Sequence, residues 1–242
     1  METMKRIGFS VGDTVKLLWL HLASQEQMNP KELHDAYESL FPGRNVSYDY
    51  VARLAKQLEV EGSLSMNQEQ HRKYYSTTSN GLKQLKQYED LYYGQFREII
   101  KVLDRLYYYL TKNGEKPEFA EYQLPNEFRK YFAKLISVKD IMRHMIFSLG
   151  LTRTEFYIAE VNEQMHMLFG WTSSNGYLYE IAREMEAEGT IIGRWKDPER
   201  RTVRLVRVTD EGAEFSKRIA NDLTAQVGDV RRYLKSFIKF FD

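Results

Sequence analysis

Apolar residues recur along this chain at spacings of three and four, the period that lines one face of a helix, and at two places the pattern gives way to alternation. The first run predicts helices at about Val15–Ser24, Pro30–Leu40 and Ser47–Glu61, with Asn29 capping the second ahead of Pro30 and Ser47 capping the third. Gly62 suits the left-handed position that ends a helix. Two short strands follow, SLSMN and KYYSTT, and then a long helix over Ser79–Leu110. Between Thr111 and Phe128, Gly114, Pro117 and Pro125 interrupt any helix, which predicts a linker at 113–126. The order then repeats. A first helix begins between Glu127 and Asp140, and a second opens near Arg153-Thr154-Glu155-Phe156. A third is capped by Ser173 or Ser174 and ended by Gly189. Strands TIIGRW and TVRLVRVT lead into a last helix over Asp210–Phe241, with Val203, Leu205 and Val208 expected on or near the inner face of the second strand and its arginines outside.

The repetition extends to individual positions. Tyr50–Leu64 (YVARLAKQLEVEGSL) aligns without a gap with Tyr177–Ile191 (YLYEIAREMEAEGTI), an offset of 127 residues. Lys73–Gly81 (KYYSTTSNG) aligns with Arg204–Gly212 (RLVRVTDEG) at an offset of 131, so the second hairpin is four residues longer. In the long helices Tyr88, Tyr92, Phe96, Ile99, Leu103 and Leu106 match Ile219, Leu223, Val227, Val230, Leu234 and Phe237 at that same offset. Each set forms a seam suited to packing against another helix, and both seams are expected to serve association. The chain is therefore read as mainly α with small β hairpins (α+β), in two tandem copies at 1–112 and 127–242, each ending in a long association helix.

Three helices followed by a hairpin is the plan of a winged helix-turn-helix domain, whose third helix enters the DNA major groove while the hairpin, or wing, lies along the backbone. The second hairpin carries six basic residues (Arg194, Lys196, Arg200, Arg201, Arg204 and Arg207) against two acids, Asp197 and Glu199. Such a cluster contacts phosphates and releases counterions, giving affinity without sequence information. Short polar and aromatic residues at the start of the third helices can reach phosphates or base edges: Ser47, Tyr48 and Tyr50 in the first copy, and Thr172, Ser173, Ser174, Asn175, Tyr177 and Tyr179 in the second. Arg53, Lys56 and Arg183 extend the basic surface along these helices, and Arg72 and Lys73 lie on the first wing. These residues form the expected interface with double-stranded DNA.

Leu178–Gly189 (LYEIAREMEAEG) also resembles the PadR family signature, in which Leu-Tyr opens helix three and Leu-Glu-x-x-Gly closes it. Leu178, Tyr179, Met185, Glu186 and Gly189 stand at those positions, with methionine for leucine. The Thr-x-x-Gly entry into the family's last helix is matched by Thr209–Gly212 and Thr78–Gly81. The resemblance covers residues 170–242 well and 45–111 weakly. It implies a bacterial transcription regulator, usually a repressor, that pairs through the helices after the wing, either as a homodimer or as a pseudo-dimer within one chain. The chain departs from the family in carrying two modules, in having Val51-Ala52 for Leu-Tyr, and in lacking Gly-Tyr at helix two. Tandem winged helices also serve as protein-binding subunits of chromosome-organising complexes. Glu180, Glu184 and Glu186 on the second copy's third helix suit that alternative.

Composition narrows the field without deciding it. The net charge is +1, so local clustering sets partners, and the absence of cysteine removes thiolate metal sites, disulfides and thiol nucleophiles. A reducing, cytoplasmic setting is expected, because VKLLWLHLA near the start is too short and too charged for a signal sequence. GFSVG at Gly8–Gly12 spells a hydrolase nucleophile elbow, but it lacks the preceding strand and parallel sheet which that motif needs. No P-loop, dinucleotide, zinc or calcium pattern occurs, so neither enzyme nor cofactor is expected. Trp19, Trp171 and Trp195 suggest a lesser use, a pocket for an aromatic effector.

Overall fold

A computed structural model describes residues 10–117, 124–200 and 203–241. It is mainly helical, at 66% helix, with small antiparallel sheets. The first series of elements is α1 (Val11–Gln25), α2 (Pro30–Leu40), α3 (Tyr48–Val60), the hairpin β1 (Leu64–Glu69) and β2 (Arg72–Thr77), and α4 (Ser79–Thr111). The second is α5 (Asn126–Leu135), α6 (Val138–Gly150), β3 (Phe156–Tyr157), α7 (Glu160–Phe169), α8 (Asn175–Ala187), β4 (Ile191–Trp195), β5 (Arg204–Val208) and α9 (Asp210–Ile238).

Side-chain caps set most of these boundaries. Ser10 closes a capping box with Asp13 at the start of α1, so the serine of the GFSVG stretch is a helix cap. Asn29 accepts from the backbone of Lys31 and Glu32, and Glu32 accepts from Asn29 N. Ser47 and Ser174 each accept from the N–H three residues on, at 3.2 Å, and α3 and α8 have the same length of 13 residues. Both end at a left-handed glycine, Gly62 (φ 73°) and Gly189 (φ 74°). The Thr-x-x-Gly step has a physical basis too. The hydroxyl of Thr78 donates to Gly62 O (2.7 Å) and accepts from Gly81 N (3.1 Å), and Thr209 does the same with Gly189 O (2.8 Å) and Gly212 N (3.0 Å). One residue thus ties the end of the third helix to the start of the long one.

Two expectations are corrected. Arg153–Phe156 does not open a helix. Phe156 and Ile158 are buried while Tyr157 is exposed, the alternation of a strand, and Phe156–Tyr157 pair with Val206–Leu205 to place β5 at the centre of a three-stranded sheet, with α7 starting only at Glu160. The inner face of β5 is partly out of step with the expectation: Val206 is its fully buried residue and Val208 shares its side, whereas Val203 and Leu205 have the opposite parity and are half-buried. Arg204 shares the parity of Val206 and is drawn inward, leaving Arg207 exposed.

Two compact units result: Met1–Arg97 with Arg232–Asp242, and Glu98–Arg231, so that α4 and α9 each contribute to both. In the first unit Trp19 is buried, donates to Val51 O (3.2 Å) and meets Tyr75 edge-on. Phe41 stacks on Phe237, and Thr14 shares a hydrogen bond with the buried Tyr233 hydroxyl at 3.2 Å. In the second, Phe132 packs on Trp171, Phe147 on Phe215, and the Arg231 guanidinium, bound to Asp104, lies over the Tyr107 ring. Trp19 and Trp171 are thus buried in the cores of their units. The seams are also covered within one chain: Phe96, Ile99, Leu103 and Leu106, and Ile219, Leu223, Val227, Val230, Leu234 and Phe237, are all buried, while Tyr88 and Tyr92 are half-buried. The packing partners of these seams thus lie within the chain itself. No helix among the described residues is long and apolar enough to cross a membrane.

Burial in the second unit has a pH consequence. His144, edge-on to Tyr109, is pushed down to about 4 from the ordinary 6.5, first by desolvation and then by the Lys112 charge. The native state holds the neutral ring while the unfolded chain takes up a proton near pH 6.5. This contribution is therefore complete above about pH 6.5 and is lost as pH falls toward about 4. Urea unfolding should show His144→Gln removing about 2 kcal/mol of the stability lost between about pH 7.5 and about pH 5. Equal losses in the two proteins would rule this out.

Candidate nucleic-acid interface

In the first unit the faces of α3 divide cleanly. Val51, Leu54, Ala55 and Leu58 are buried, while Tyr48, Arg53 and Lys56 are exposed, with Arg53 lying 5.0 Å over the half-buried Tyr50 ring. Beside this helix, β1 and β2 are joined by a two-residue turn, since Glu69 pairs with Arg72. Its residues Gln70 (φ 45°) and His71 (φ 69°) both adopt the left-handed conformation that twisted hairpins favour but that non-glycine residues resist. The turn delivers Arg72 and Lys73 to a groove of about 580 Å³ that also receives Lys31, Tyr48 and Lys56, with the otherwise buried Tyr75 reaching its wall. Lys31, Lys56, Arg72 and Lys73 have no acidic partner among the described residues. Ser47 is exposed but its hydroxyl is committed to the cap.

The corresponding surface in the second unit is closed by its own acids. Arg204 is bound through two nitrogens to Glu186, leaving its side chain only 12% exposed, and its guanidinium lies 5.0 Å over the Trp195 ring. Trp195 in turn stacks on Tyr179. Arg194 makes two bonds to Glu155 (3.1 and 2.8 Å), which hold that carboxyl below the usual range. Lys196 reaches the Tyr157 hydroxyl at 3.4 Å, and Arg200, 82% exposed, stands 3.8 Å from Asp197. Arg201 lies outside the described residues. Arg183 is exposed. Two of the three acids on α8 are themselves engaged. Glu186 holds Arg204, and Glu184 is held below its usual range by a hydrogen bond from Lys139, with the buried Arg143 nearby. The third, Glu180, is exposed and has no such partner among the described residues.

No protein-family model matches the chain, and no curated protein matches it. The predicted residues therefore stand on their own geometry. Thr172, Ser173 and Tyr177 gather at a shallow depression with Trp171 and Lys139, and Asn175 and Ser173 are tied to Asn162 at 2.8 and 3.4 Å. Sequence reasoning did not single out Lys31 and His71, which reach the first groove from the capped start of α2 and from the turn. It also missed that Glu155 and Glu186 bind Arg194 and Arg204 of the second hairpin. Glu155 could not be found while its segment was read as helix, because only as part of a strand edge does it face Arg194. Among the described residues no group of acids and histidines could hold a metal ion.

Proposed function

We propose that this chain is a sequence-specific DNA-binding transcriptional regulator of PadR-like type, a repressor, with two winged helix-turn-helix heads in one polypeptide. The observation that carries the reading is the first groove, where the start of α2, the outer face of α3 and the hairpin bring together four cations that have no acidic partner among the described residues. A helix of 13 residues, about 20 Å long, suits a major groove about 12 Å wide, and the hairpin beside it is placed to follow the phosphates. Lysines and arginines there release counterions, and Tyr48 and Arg53 face the bases. Seams covered within a single chain favour one chain supplying both heads over a homodimer. Repression follows from occupying a promoter. The experiment is fluorescence anisotropy with duplex DNA across a range of salt, followed by selection from a random pool. The affinity is expected to fall steeply with salt and the pool to converge on a motif.

A second reading, a tandem winged-helix protein-interaction subunit, is favoured by the neutralised hairpin of the second unit. Absence of any salt-sensitive DNA binding, together with recovery of a defined protein partner, would replace the first reading with this one.

A further inference from the structure

We infer that the two heads are not equivalent: DNA phosphates are held by the first, while the second has Arg194 and Arg204 of its hairpin bound by its own carboxylates and contributes little to phosphate binding. This rests on the DNA-binding reading above and goes beyond it, because both the density of basic residues and the family resemblance single out the second head.

The repeat allows the comparison position by position. Lys73 and Arg204 are equivalent, as are Glu59 and Glu186. Lys73 is exposed and has no acidic partner among the described residues, whereas Arg204 is fixed to Glu186 and shielded. The cause lies at two neighbouring positions. The second head has Tyr179 and Trp195 where the first has Ala52 and Gln68. The Tyr179–Trp195 stack fills the space between helix and hairpin and provides a ring face for the Arg204 guanidinium, which orients it onto Glu186. In the first head the small Ala52 leaves that space open, and the groove is the result.

Charge on the third helix follows the same division. Arg53 is replaced by Glu180 at the equivalent position and Gln57 by Glu184, so the outward face gains two carboxylates and loses a cation in the second head. The remaining exposed arginines of the second head sit among acids. Arg207 borders a depression shared with Asp210, Glu211 and Glu214, Arg200 faces Asp197, and Arg183 lies one turn from Glu180. A phosphate approaching this head meets carboxylates already seated on Arg194 and Arg204. In the first groove Glu59 lies one turn from Lys56 and Glu69 pairs across the hairpin with Arg72, yet among the described residues none of Lys31, Lys56, Arg72 and Lys73 is held in an ion pair.

The test matches three substitutions against three in the full chain, all at exposed positions. Binding to a random-sequence duplex of about 30 base pairs is followed by anisotropy at several salt concentrations, with thermal melting as the check on folding. K56A/R72A/K73A is expected to weaken binding about 100-fold near physiological salt and to reduce the salt slope by about 3. R194A/K196A/R200A is expected to stay within about 3-fold of the parent. If melting shows that the first variant is misfolded, K56Q/R72Q/K73Q is measured instead, and K56R/R72K/K73R, which keeps the charge, should retain binding. Equal losses in the two sets, or a larger loss in the second, would overturn the inference and leave the DNA-binding reading intact. No salt-dependent binding by the parent chain would overturn both.

Discussion

Phe237→Ala is expected to destabilise the first unit by about 4 kcal/mol, although the residue lies at the far end of the sequence from most of that unit. Phe237 is fully buried, and its ring stacks on Phe41 (5.2 Å between centroids) and packs on Phe96 (5.9 Å), Tyr233 (4.7 Å) and Phe240 (5.8 Å). Truncation removes aromatic area from water-excluded packing and leaves a cavity that four rings cannot fill without breaking their own contacts, including the Arg44 guanidinium held 4.0 Å over Tyr233. The effect is also local. The end of α9 belongs with Met1–Arg97, so amide exchange should accelerate in α1 and α2 well before it does in α6 and α8. A loss below about 1 kcal/mol, or uniform loss of protection, would show that the end of the chain is not part of this core.

That exchange of helix ends marks where the sequence stops being legible. The period of Ile219, Leu223, Val227, Val230, Leu234 and Phe237 states that one face of α9 is buried but not against what, since any apolar partner satisfies the same pattern. Local features were readable because they depend on neighbours in the chain. The caps at Asn29, Ser47 and Ser174, the glycine ends at Gly62 and Gly189, and the bounds Pro30–Leu40 follow from residues within one turn of each other. The strand at Phe156–Tyr157 was not readable, because two residues are too few for a period and their partner is Val206, fifty positions away. The candidate interface was half legible for the same reason. Lys56, Arg72 and Lys73 were chosen from local charge and do converge. The charge excess at Arg194–Arg207, however, counted cations without the acids that tertiary structure brings to them from Glu155 and Glu186.

The repeat predicts a second large effect, because it preserves a glycine for a reason that helix propensity opposes. In an exposed helix Gly→Ala is stabilising by about 1 kcal/mol. At Gly81, near the start of α4, a Cβ would stand 2.2 Å from Ser63 O, and at Gly212, in α9, 2.0 Å from Thr190 O. Neither carbonyl is free to retreat. Ser63 O accepts from Thr78 N (3.1 Å) and Thr78 Oγ1 (3.2 Å), and Thr190 O accepts from Thr209 N (3.2 Å). The added methyl must therefore push the long helix off the end of the third helix, loosening the junction that fixes hairpin against α3 or α8. Gly81→Ala and Gly212→Ala are each expected to cost about 3 kcal/mol in chemical denaturation. Gly94→Ala is the internal control, since nothing lies within 4 Å of its Cβ in the same helix as Gly81, and it should raise stability by about 0.5–1 kcal/mol. The opposite signs come from one substitution in one helix, so a shared sign at Gly81 and Gly94 would refute the close approach. Should Gly81→Ala also cut DNA affinity while unfolding remains cooperative, the junction is what holds Lys56 across the groove from Arg72 and Lys73.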